Sequence, residues 1–182
     1  MRRWSLILAL LSAVAATPVA AVKAAPPPEE ISNFLLSPSY SRWLVGPVYF
    51  LASEDEARRF LGLSDDTAAQ GFIERFWERR DPNAERPGNA VRELFERRRE
   101  QADTLFDQPP VLGHQTDRGV VFVFFGEPDE TRIETSADVD APPQEVWTYR
   151  QAPPGLNERP GRTRYAFTLR SDGSIELTHG LH

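Results

Sequence analysis

Apolar and polar positions follow one period up to about residue 108 and another after about residue 113. Between 53 and 106 the apolar residues recur at spacings of three and four, as one face of a helix requires. Ser53-Glu54-Asp55-Glu56 opens a first helix as a capping box, its serine hydroxyl and its glutamate satisfying free amides. Gly62 is expected to close it in the left-handed conformation. Ser64-Asp65-Asp66 caps a longer helix whose stripe runs through Ala69, Phe72, Ile73, Phe76, Trp77 and Arg80. Asp81-Pro82 ends that helix, because proline disfavours a helical residue before it. Pro87-Gly88-Asn89 starts a third, with Val91, Leu94, Phe95, Arg98, Ala102, Leu105 and Phe106 along one side. The short loop between these two predicts an antiparallel helical hairpin. Upstream, Tyr40 to Leu51 reads as a short helix and a packed segment, broken at Gly46-Pro47.

After Pro109-Pro110 the pattern changes. Val120 to Phe125 is an unbroken apolar run between Gly119 and Gly126-Glu127-Pro128, the pattern of a strand buried on both faces. Glu145 to Arg150 alternates around Val146, Trp147 and Tyr149, and Arg164 to Arg170 around Tyr165, Phe167 and Leu169. Ser171-Asp172-Gly173-Ser174 turns the chain, since Asp-Gly tolerates positive φ, and Ile175 to Thr178 returns as a last strand. The expected fold is α+β, with N-terminal helices packed on a sheet of three or four antiparallel strands.

The start of the chain follows a third pattern. Arg2 and Arg3 are basic, Trp4 to Ala16 is apolar, and Thr17 to Ala25 is rich in small residues. That order is expected of a secretory signal peptide over residues 1–21, cleaved after Val19-Ala20-Ala21, with Val22-Lys23-Ala24 as a second cleavage candidate. The apolar run is short for a membrane span of about 20 residues, so no stable membrane insertion is expected after cleavage. Residues 22–39, with Pro26-Pro27-Pro28, read as a linker, leaving a domain over 40–182: a helical part 40–108 and a strand part 113–178. The expected location is secreted or periplasmic.

The absence of cysteine excludes disulfides, thiolate metal sites, cysteine nucleophiles and a lipid-anchored cysteine. Without Arg2 and Arg3 the net charge moves from −6 to −8, which disfavours nucleic acid and anionic bilayers as partners.

Gly113-His114-Gln115-Thr116-Asp117-Arg118-Gly119 and Gly126-Glu127-Pro128-Asp129-Glu130 resemble the signature of the GWxTD domain family, exported bacterial proteins named for that motif. Trp43-Leu44, Tyr49-Phe50-Leu51, Phe72-Ile73-Glu74-Arg75-Phe76-Trp77, Arg79-Arg80-Asp81-Pro82 and Glu145-Val146-Trp147-Thr148-Tyr149 stand in the family's order. The resemblance covers about residues 40–178. It departs at His114, where the signature has tryptophan. What it implies is a fold and an exported location; it carries no reaction. From Val120 onward the order of apolar segment, Gly-x-Pro, Trp-x-Tyr strand and Asp-Gly hairpin is similar to small outer-membrane-assembly lipoproteins of the BamE type, which bind partners.

Asp117 and Arg118 have the chemistry to bind a carboxylate or to act as acid and base. The preferred reading is plainer: Thr116 and Asp117 accept backbone N–H bonds and Arg118 pairs locally. Arg80 is expected near the buried stripe, with Asp81 holding it or reaching the Asp117 loop. A joint pocket of Arg80, Asp81, Asp117 and Arg118 would be the catalytic alternative. His114, His179 and His182 make no helical pair with a carboxylate, so no metal site and no cofactor is expected. Trp77 and Phe76 cannot share one helix face, and surplus aromatics of this kind either bind a partner or seat the N-terminal segment.

Taken together, these features point to a non-catalytic binding or assembly module of the bacterial envelope, with an envelope protein as partner. Arg118, Arg80, Thr116, His114 and Trp77 are its candidate binding residues. The alternative is a small periplasmic hydrolase using Asp81 and Asp117 with their arginines.

Overall fold

The computed structural model describes residues 26–83, 85–136, 138, 140–150 and 163–179. The segment read as a signal peptide and His182 lie outside them. Among these residues six helices come first: α1 (Pro38–Ser41), α2 (Pro47–Leu51), α3 (Glu54–Leu61), α4 (Asp66–Glu78), α5 (Ala90–Leu105) and α6 (Asp117–Phe125), with a 3-10 turn at Gly113–Gln115. Strands β1 (Glu130–Glu134), β2 (Gln144–Tyr149), β3 (Thr163–Leu169) and β4 (Ile175–His179) follow as an antiparallel meander in chain order. The fold is α+β, as the two periods imply.

Local signals set the helix starts. Ser53 and Glu56 complete both halves of the capping box on α3. Asp65 accepts from the Ala68 amide at the start of α4, and Asn89 from the Arg92 amide at the start of α5. Gly62 departs from expectation: its φ is −89°, so α3 ends without a left-handed residue.

Val120 to Phe125 is helix, not strand. The Thr116 hydroxyl accepts from the Gly119 amide and starts α6, and Gly126, at φ 76°, stops it. Every residue from Gly119 to Phe125 is buried. A helix enclosed on all sides has no polar face and so shows no helical period. The first strand is instead the mostly polar Glu130–Glu134, whose residues run antiparallel to β2 with Arg132 opposite Val146. The Asp-Gly turn leads into β4 as predicted, with Gly173 at φ 84°.

Both Phe76 and Trp77 are buried because α4 has neighbours on two sides. Trp43 packs its ring 4.9 Å from Phe76, and Phe95 of α5 sits 4.9 Å from Trp77. Beyond that contact, α5 packs chiefly on α6 and the 3-10 turn, not on α4 as the hairpin reading expected. Glycine makes this approach possible. A Cβ on Gly119 would stand 1.9 Å from the Gly113 carbonyl oxygen, and one on Gly113 would stand 2.1 Å from that of Ala102. Three backbones therefore touch where any side chain would wedge them apart.

Part of the expected linker is core. Ile31 and Leu36 are buried, and Asn33 donates to the carbonyls of Phe60 and Leu63 at 3.0 and 2.9 Å. The inner sheet face presents Trp147, Tyr149, Tyr165 and Phe167; Phe125 of α6 packs on both tyrosines and Phe106 on Trp147. The outer face is polar, with Arg164 bridging from β3 to Glu134 on β1.

Candidate functional site

The signature residues lie at the joints between elements. Thr116 donates to the Gly113 carbonyl at 2.7 Å and caps α6. Asp117, in the first turn of α6, accepts from the Leu177 amide at 2.6 Å. Leu177 belongs to β4, an outer strand of the sheet, so this carboxylate ties one sheet edge to the helix. Arg118 pairs with Glu145 at 3.3 Å and lies over the Phe106 ring; Glu145 also accepts from the Trp147 indole at 2.8 Å. The Tyr149 hydroxyl donates to the Gly126 carbonyl at 3.0 Å, and the Arg150 amide to Asp129 at 2.7 Å, fixing the turn into β1. Burial holds the Tyr149 phenol above its ordinary pKa, so it stays a donor.

Removing the Asp117 carboxylate strips an edge amide of its acceptor. Asp117→Ala is expected to cost about 1–2 kcal/mol, since a charged acceptor is lost from an exposed position. The measurement is thermal denaturation together with hydrogen exchange at the Leu177 amide, which should lose protection.

Arg80 is held elsewhere. Its guanidinium meets both Glu56 oxygens, at 2.7 and 3.1 Å, donates to the carbonyls of Phe76 and Leu51, and lies 3.6 Å over the Phe76 ring. Arg79 adds a third bond to Glu56 at 2.7 Å. The Arg80 hydrogen bonds lead a set that holds the Glu56 carboxyl down at about 2 against the opposing effect of burial. Among the described residues Asp81 accepts only from the Asn83 amide, in its own turn.

The four-residue pocket is therefore a correction. Arg80 belongs to Glu56, Arg118 to Glu145, Asp117 to Leu177 and Asp81 to its own turn. No hydrogen bond or ion pair among the described residues joins Asp81 to Asp117 or either to the other's arginine. The joint pocket that the hydrolase alternative assumed is not assembled through direct bonds among these four side chains. Trp77 is corrected as well: at 1% exposure it cannot meet a partner. Glu56 and Glu145, the carboxylates that hold the arginines, were visible in sequence only as a capping residue and a strand residue.

His114 is buried within the 3-10 turn, its backbone and its Nδ1 both within 2.9 Å of one Asp103 oxygen. Burial lowers its pKa and Asp103 raises it; burial prevails, because the Asp103 side chain is 34% exposed and its charge is screened by water. A folded pKa below the unfolded value means the unfolded chain binds the extra proton as pH falls. The stability contributed by neutral His114 is complete above about pH 6.5 and is lost below it. The melting temperature should therefore fall between pH 7.5 and 5.5, and His114→Gln should flatten that slope. Titration of the imidazole by NMR reads the same shift directly.

Two of the grooves among the described residues combine apolar and polar walls. One, of about 540 Å³, lies between the C-terminal turn of α5, α6 and the β1–β2 edge, lined by Leu105, Phe106, Phe122, Pro128, Thr131 and Trp147. The other, of about 370 Å³, lies over His114 between the N-terminal helices and α5. No group of three or more His, Asp and Glu that would hold a metal ion occurs among the described residues. None of their helices is long and apolar enough to cross a membrane.

The family model of the GWxTD domain matches residues 37–179, and the chain belongs to that family. Comparison with curated proteins and with solved structures gives no match.

Proposed function

We propose that this chain is an exported, non-catalytic binding or assembly module of the bacterial cell envelope, and that it holds an extended segment of a partner protein along β1. The observation that carries the reading is the difference between the two sheet edges. β4 is tied to α6 through Asp117, whereas β1 pairs only with β2 among the described residues and borders the 540 Å³ groove. Leu105 and Ile133, 59% and 60% exposed, supply apolar surface beside that edge. An added strand would gain main-chain hydrogen bonds from β1 and place alternate side chains in the groove. Export is supported by the basic, apolar and small-residue order of the first 25 residues.

The test is a tagged pull-down from native envelope with wild type, Leu105→Glu and Ile133→Asp, both changes at exposed side chains. One stoichiometric partner is expected with wild type and its loss with both variants. A clean monomer, or a partner retained by both variants, would overturn the proposal.

A further inference from the structure

The groove over His114 has a different character from the one beside β1. Its inner wall is apolar, built from Trp43, Val48, Ile73 and Phe95, all packed into or against the core. Its rim carries three guanidinium groups, on Arg42, Arg92 and Arg99, against the single carboxylate of Glu96. Arg99 holds that carboxylate at 2.7 Å. Arg42 reaches only the neutral Gln115 amide, at 3.3 Å, and the Arg92 side chain makes no hydrogen bond or ion pair among the described residues. Elsewhere the arginines described above are matched by carboxylates or carbonyls, and the chain as a whole is acidic at −6. Three arginines against one carboxylate leave this rim with surplus positive charge on a chain that is acidic as a whole.

We propose that this groove is a small-molecule site for an amphipathic organic carboxylate, with the apolar body against Trp43, Val48, Ile73 and Phe95 and the carboxylate between Arg92 and Arg42. Arginine suits this task because its planar fork meets both oxygens of a carboxylate. A volume of about 370 Å³ lies within the range of small-ligand pockets and is too small for a folded partner. The apolar wall supplies binding that does not depend on charge, and the arginines set which head group is accepted. The site is separate from the β1 edge, so it stands or falls apart from the partner-binding proposal.

Dodecanoate is the probe and dodecyltrimethylammonium, with the same chain and the opposite charge, is its control. Binding is followed by titration calorimetry and by the change in tryptophan fluorescence, to which Trp43 in the groove wall contributes. The expected result is saturable one-to-one binding of dodecanoate, none of the ammonium compound, and a loss of about tenfold or more in affinity in Arg92→Glu. Because the Arg92 side chain makes no hydrogen bond or ion pair among the described residues, the melting temperature of that variant should match wild type. Should it melt early, Arg42→Glu, at an exposed side chain, gives the same reading. No dodecanoate binding at about 1 mM, equal binding of both amphiphiles, or affinity insensitive to both substitutions would each overturn the assignment.

Discussion

Gly119→Ala is expected to leave the protein unfolded. The new Cβ would have to occupy space 1.9 Å from the Gly113 carbonyl oxygen and 2.8 Å from the His114 Cα, both backbone atoms. No rotamer change relieves such a contact, so α6 has to leave the 3-10 turn. That movement opens the packing of every residue from Val120 to Phe125, all of them buried. The cost should exceed about 4–5 kcal/mol, a large part of the roughly 5–15 kcal/mol that holds a domain together. Gly113→Ala, with its Cβ 2.1 Å from the Ala102 oxygen, should behave in the same way. Two other glycines serve as controls. Gly62 has φ −89° and no neighbour of a Cβ closer than 3.6 Å, so Gly62→Ala should be neutral or gain up to about 1 kcal/mol. Gly173 has open space but φ 84°, so Gly173→Ala should cost about 1 kcal/mol from backbone strain alone. Far-ultraviolet circular dichroism and thermal melts of the four variants check the order. A folded Gly119→Ala protein would remove the backbone contact as the organising feature.

The second large effect is Glu56→Gln. The amide keeps the size of the side chain and removes the charge that Arg80 and Arg79 share. Arg80, whose side chain is 22% exposed, is then left with two carbonyls and no counter-charge. A carboxyl lowered from 4.5 to about 2 corresponds to about 2–3 kcal/mol of folding free energy, after allowing for the exposure of Arg79. Because the folded pKa lies below the unfolded one, that stability is complete above about pH 4.5 and is lost as pH falls toward 2. Wild type should thus show a steep acid limb in chemical denaturation between those values. Glu56→Gln should be weaker at pH 7 and should lose most of that limb. If the two acid limbs run parallel, the carboxylate does not carry the linkage.

How far the fold could be read from the chain depended on the distance over which each feature is decided. The capping serine and glutamate of α3, Asp65, Asn89 and the Asp-Gly turn act within a few residues, and they appear where the sequence put them. Val120 to Phe125 was misread because a run of apolar residues has the same appearance as helix or strand; its two ends, Thr116 and Gly126, made the decision. β1 gave no strand signal because, as an exposed edge, it needs only one apolar residue, Ile133. The charged site was the least legible. Asp103 lies 11 residues from His114, Glu56 24 from Arg80, Glu145 27 from Arg118, and Leu177 60 from Asp117. Partners at such separations are set by tertiary packing, and no local spacing announces them.

The crossing of α5, the 3-10 turn and α6 has one further consequence. The groove beside β1 takes one wall from α5 and another from Phe122 of α6, and these helices meet through backbone at Gly113 and Gly119. Contacts made by side chains can be retuned by rotamer changes; contacts made by main chain cannot. The width of that groove is therefore set before any partner arrives, and a strand docking there would lose little entropy in shaping its receptor. Selection among partners would then fall on the few side chains that line the groove, while the two helices beneath it stay at a constant separation.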